Sequence, residues 1–97
     1  MEIKEFAGLY YADGAMDEKT RQLVALAAML ASGCSTWAPA RFAAAKQAGA
    51  SREEISETLY LAMRAGSRAV WTTIKKSIDG IEDEVKAFKQ NYQAAEW

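Results

Sequence analysis

The chain has 97 residues, enough for a single domain over 1–97, with 12 Lys and Arg against 13 Asp and Glu, one cysteine, one proline and no histidine. The net charge of −1 argues against a nucleic-acid partner, and the missing imidazole removes the commonest metal ligand and the usual base near neutral pH, so no metal and no cofactor is expected. The opening MEIKEF does not read as a signal peptide, no apolar run approaches the ~20 residues that cross a bilayer, and a free thiol suits a reducing compartment, so the expectation is a cytoplasmic protein with no membrane partner.

Alanine, leucine, lysine and glutamate dominate, all strong helix formers, and the composition predicts an all-α fold. Residues 3–11, IKEFAGLYY, read as a short helix or turn that ends at Asp13-Gly14. Asp17 is placed to cap the next helix, with Glu18 favourable at its positive end. Leu23, Leu26, Ala27 and Leu30 then recur at helical spacing, and Ser32-Gly33 ends the stripe. The third helix is expected to begin near Cys34 to Thr36, to tolerate Pro39 in its first turn and to stop at Gly49. Ser51 with Glu54 three residues on forms a capping box for a fourth helix. Its inner face is Ile55, Leu59, Ala62 and Met63, and it stops near Gly66. A fifth takes residues 67–78, anchored by Val70, Trp71 and Ile74. After Asp79-Gly80, a sixth presents Ile81, Val85, Phe88 and Tyr92 as a narrow apolar seam.

The lone Cys34 has two readings from its position. At a helix start it would lie among unpaired N–H groups that favour a charged sulfur, or it is a small buried hydrophobe, as inert thiols commonly are. Trp37 and Arg41, four apart on one helix, are neighbours on one face. They make a cation–π pair, or Trp37 is core and Arg41 a solvated rim residue. Arg41 cannot serve as a base.

MDEKTRQLVALAAMLASGC followed by FAAAKQAGASREEISETLYLA resembles the carboxymuconolactone decarboxylase family, which includes the alkylhydroperoxidase D-like proteins. Asp17, Lys19, Thr20, Arg21, Leu23, Gly33 and Cys34 carry the first half of the likeness. Ala45, Gly49, Ala50, Ser51, Glu53, Glu54, Ile55 and Glu57 carry the second, and the likeness runs over about residues 16–74. The resemblance implies an all-helical fold of about five or six helices interlocked between subunits, and a homo-oligomer, trimer or hexamer. The C-terminal seam and Trp71 could be buried between those subunits, or could close the chain's own core.

The resemblance also implies a peroxiredoxin-type site of two cysteines, a histidine and a glutamate. The first cysteine corresponds to Cys34, the second to Trp37, the histidine to Arg41 and the glutamate to Gln22. This degenerate motif cannot run a dithiol cycle, because Trp37 cannot resolve an oxidised Cys34. Nor do Gln22 and Arg41 relay protons near neutral pH. Three functions stay open. Cys34 is the catalytic candidate of a one-cysteine thiol hydroperoxidase that takes a small-molecule peroxide. Alternatively, Gln22, Trp37 and Arg41 line the old pocket and bind an organic acid. The third is a structural oligomer.

Overall fold

The computed structural model describes residues 3–12, 15–66 and 69–91, which form a hairpin followed by five helices. The hairpin replaces the short helix or turn expected at residues 3–11. Strands β1 (Ile3–Phe6) and β2 (Leu9–Ala12) pair antiparallel, Ile3 opposite Ala12 and Phe6 opposite Leu9. The two turn residues, Ala7 at φ 51° and Gly8 at φ 86°, both adopt left-handed backbone. A two-residue turn of that hand matches the twist of paired strands, and no right-handed helix could hold it. The Glu5 carboxylate accepts a hydrogen bond from the Gly8 N–H at 2.7 Å and fastens the turn.

Helix α1 (Glu18–Ala31) begins where expected. The Asp17 side chain accepts from the Thr20 N–H at 2.7 Å, and Leu26 and Leu30 are fully buried with Leu23 and Ala27 packed against them. At its end Gly33, φ 81°, takes the left-handed residue of a Schellman motif: the Gly33 N–H donates to the Leu30 carbonyl and the Cys34 N–H to the Met29 carbonyl. Helix α2 (Ala38–Gln47) therefore starts two to four residues later than the sequence suggested. Cys34 closes α1 instead of opening α2, and Trp37 is the residue that flanks the new helix without any side-chain cap. Pro39 does fall in the first turn of α2.

Helix α3 (Arg52–Ala65) opens with the full capping box. The Ser51 hydroxyl accepts from the Glu54 N–H at 3.0 Å, and the Glu54 carboxylate accepts from the Ser51 N–H at 2.8 Å. Ile55, Leu59, Ala62 and Met63 are all buried, and the helix ends at Gly66. Helix α4 (Ala69–Lys76) buries Val70, Trp71 and Ile74, and α5 (Glu82–Asn91) buries Val85 and Phe88. The expected positions 67 and 68, and Tyr92, lie outside the described residues.

Helix α3 sits at the centre. It packs on α5 and α1, α1 lies on α2, and α4 leans on both α1 and α3. The choice left open for the C-terminal seam is answered within one chain. Ile81, Val85 and Phe88 are buried there, and the Trp71 ring lies 5.6 Å from that of Phe88. Among the described residues no helix is long and apolar enough to cross a membrane.

The two halves of the motif meet between α1 and α3. The Lys19 ammonium lies 2.8 Å from the Glu54 carboxylate. That hydrogen bond, with the one from Ser51, holds the Glu54 carboxyl below the usual carboxylate range and raises Lys19 above the usual lysine range. Asp17 is lowered as well, chiefly by the Thr20 N–H. On the far side Lys46 of α2 lies 3.4 Å from Glu84 of α5 and also donates to the Gly80 carbonyl.

Candidate functional site

Three of the expected site residues come together around one pocket. Cys34, Trp37 and Arg41 line an open cavity of about 700 Å³, with Ala25, Ala28, Met29 and Ser32 on the α1 side and Phe6 reaching in from the hairpin. The surface is mostly hydrocarbon. The polar side chains in its lining are Ser32, Cys34, Trp37 and Arg41, the last of which carries the charge. Pockets of this size and character suit molecules with an apolar body and a few polar contacts.

The local folding explains each position. The Schellman turn stops α1 and releases Cys34 into the connection to α2, half-buried. The helix-start environment expected for the thiol is absent, because its own N–H points back to Met29 of the preceding helix. Trp37 is 66% exposed, so it is neither core nor a plug; it stands at the rim. Arg41 is half-buried one turn into α2, its N–H donating to the Trp37 carbonyl. Its guanidinium does not lie on the indole as the spacing allowed. It lies 4.7 Å from the centre of the Phe6 ring, a cation–π contact between α2 and the hairpin.

Gln22 sits behind this wall, on α1 and 8% exposed. Its side-chain oxygen faces the Arg41 guanidinium at 3.5 Å, the long limit of a hydrogen bond, and its amide nitrogen donates to Glu18 at 2.8 Å. Glu18 also pairs with Arg21. The four residues named from the sequence therefore do converge: three line the pocket and Gln22 supports one of them.

Phe6 and Glu18 were not singled out from the sequence as site residues. Phe6 was hidden by reading IKEFAGLYY as helical. What strand signal there is lies in the β-favouring residues Ile3, Phe6, Tyr10 and Tyr11 on either side of the small pair Ala7-Gly8. Glu18 was read only as a favourable charge at a helix start, although it stands four residues before Gln22 on one helix face. Among the described residues no group of His, Cys, Asp and Glu is arranged to hold a metal ion.

The model of the carboxymuconolactone decarboxylase family matches residues 3–74, from the first strand through α4. A protein of Paracoccus denitrificans described as "Uncharacterized protein 4 in cox locus" is 37% identical over 59 residues. That alignment covers 59% of this chain and 53% of the relative, so the chain spans about half the length of the curated relative it matches. No solved structure matches the chain. The matched span takes in the hairpin, both motif halves and every residue of the pocket, and the chain belongs to the carboxymuconolactone decarboxylase family.

Proposed function

We propose that this pocket binds a small organic acid, with its carboxylate on Arg41 and its apolar part against Phe6, Met29 and Trp37. The observation that carries the reading is the state of Arg41. Its guanidinium is half-buried at an apolar cavity, and its partners among the described residues are an aromatic ring and a neutral amide, with no carboxylate to cancel the charge. A guanidinium presents a planar fork of donors that fits a carboxylate, and the partial exclusion of water strengthens the pair. A hydrogen bond to a charged group contributes about 1.5–3 kcal/mol, roughly ten- to hundredfold in affinity. Titration calorimetry with benzoate and with neutral benzamide tests this. Benzoate is expected to bind at least tenfold more tightly, and Arg41→Met to erase the difference. Equal binding of the two by the wild-type chain would overturn the reading.

A second reading rests on Cys34, which lines the same cavity. In a one-cysteine hydroperoxidase the Cys34 thiolate attacks the terminal oxygen of an organic hydroperoxide. The O–O bond breaks, the sulfur becomes a sulfenic acid, and the departing alkoxide takes a proton to leave as an alcohol. An external low-molecular-weight thiol then condenses with the sulfenic acid, releasing water. A second such thiol frees Cys34 and leaves as the external disulfide. The chain holds no second cysteine to do this itself. The lining offers no carboxylate, imidazole or amine to relay the proton, which is why the binding reading comes first. Hydroperoxide consumption under excess dithiothreitol, with sulfenic acid trapping and Cys34→Ser as control, separates the two. Turnover that depends on Cys34 establishes the enzyme, and its absence leaves the acid-binding pocket.

The proposal extends to a cytoplasmic homo-oligomer, a trimer or hexamer, as the family resemblance implies. Val24 and Leu61, each about half exposed, are the apolar side chains of α1 and α3 available for such contact. Light scattering from the purified chain reads the mass directly.

A further inference from the structure

We infer that Gln22, oriented by Glu18, sets the charge preference of the pocket. This rests on the organic-acid reading and names the residue behind it that makes the site select anions.

Gln22 is more than nine-tenths buried and has two different ends. Which end faces Arg41 is decided one turn back along α1. Glu18 presents two carboxylate oxygens: Oε2 is taken by the Arg21 guanidinium, and Oε1 accepts from the Gln22 amide nitrogen at 2.8 Å. An ionised carboxylate only accepts hydrogen bonds, so the Gln22 NH2 must turn towards Glu18. The carbonyl oxygen is then left facing Arg41, where it meets Nη1 at 3.5 Å. Arg21 holds Glu18, Glu18 orients the amide, and the amide oxygen faces one edge of the guanidinium.

The consequence is electrostatic. The Gln22 carbonyl is the acceptor behind Arg41, and the contact is long, at 3.5 Å. A carboxylate at position 22 would supply an acceptor too but would also cancel the positive charge that a ligand sees. A neutral amide supplies the acceptor and leaves the charge uncancelled, with Nη2 and Nε not hydrogen-bonded to any described residue. Gln22 is a positioning residue: it acts on the ligand through Arg41.

The test compares benzoate and benzamide by titration calorimetry on the full chain, with three proteins. The wild type is expected to favour benzoate at least tenfold. Gln22→Glu, nearly the same shape, is expected to reduce that preference below threefold while benzamide affinity stays within twofold, because its carboxylate pairs with Arg41 internally. Gln22→Met, neutral and of similar length, is expected to keep the preference for benzoate, since no charge has been cancelled. Thermal melts establish that both variants are folded, and Gln22→Met carries the argument should Gln22→Glu not fold: loss of the preference in Gln22→Met would show that neutrality at position 22 is not what matters. A preference kept intact in folded Gln22→Glu would overturn the role of Gln22 and leave the pocket standing. No benzoate binding by the wild type would overturn the pocket, and this inference with it.

Discussion

Two sets of motif residues both draw on helix α1 and do opposite things. Asp17 and Lys19, at its start, turn towards structure: one caps the helix, and the other bridges to Glu54, which itself completes the cap of α3. Asp17, Lys19, Ser51 and Glu54 each have a partner within these two helix starts. Cys34, Trp37 and Arg41 border open space with Gln22 behind Arg41, and Arg41 keeps a charge that no described carboxylate answers. The comparison teaches that the densest part of a family motif can be scaffold. Here the best-matched residues hold two helices together, while three of the four positions tied to peroxidase chemistry have changed into an aromatic rim, a fixed cation and an amide.

If that division is right, changes in the scaffold should move stability and leave ligand preference alone, and changes in the pocket should do the reverse. Leu59→Ala, in the fully buried centre of α3, should cost about 2–5 kcal/mol in urea unfolding, and is the largest loss expected. Gly33→Ala should cost about 1–2 kcal/mol, because φ 81° strains any side chain. The added methyl meets only the Thr73 hydroxyl at 3.9 Å, an ordinary contact, so the penalty is in the backbone. Ser51→Ala removes one half of the capping box and should cost about 1 kcal/mol.

The Lys19–Glu54 bridge should show as a smaller effect with a definite pH dependence. The Glu54 carboxyl is lowered by folding, so its contribution is complete above the ordinary carboxylate range and is lost as pH falls through its depressed folded value. Lys19 is raised, so its contribution is complete below the ordinary lysine range and fades only as pH climbs through the raised folded value. Glu54→Gln should therefore flatten the acid limb of a stability-against-pH curve; an unchanged limb would mean the bridge is not formed in solution. Smallest of all, Trp37→Ala and Cys34→Ser should shift stability by no more than about 0.5 kcal/mol, as expected where side chains border open space. A larger loss at Trp37 would make it a packing residue and blur the contrast.

Much of the fold was legible in the sequence because helix signals here are local. The Asp17 cap, the Ser51–Glu54 box and the glycines at 33, 49 and 66 each act within a turn of where they stand, and each marks the boundary expected of it. Two readings failed where local signals competed. Cys34 looked like a helix start because it follows the helix-ending Gly33, but its N–H was already committed to the end of α1. IKEFAGLYY has helix formers within it, yet the left-handed pair Ala7-Gly8 turns the chain back and its flanks pair as strands. The site was legible as a list of residues from the family likeness but not as an arrangement. The partner of the Arg41 guanidinium could have been Trp37, four residues away on one helix. It is Phe6, 35 positions earlier, because tertiary packing brings the hairpin over α2. The support of Gln22 by Glu18 was within reach at i, i+4, but its meaning depends on Arg41 lying behind it, 19 residues on.

The most direct measurement is a crystal structure of the chain grown with benzoate. The account predicts the carboxylate within hydrogen-bonding distance of the Arg41 guanidinium and the ring against Phe6 and Trp37, with Gln22 still bridging Arg41 to Glu18. Trp37 folded into an empty pocket, or benzoate bound away from Arg41, would contradict it.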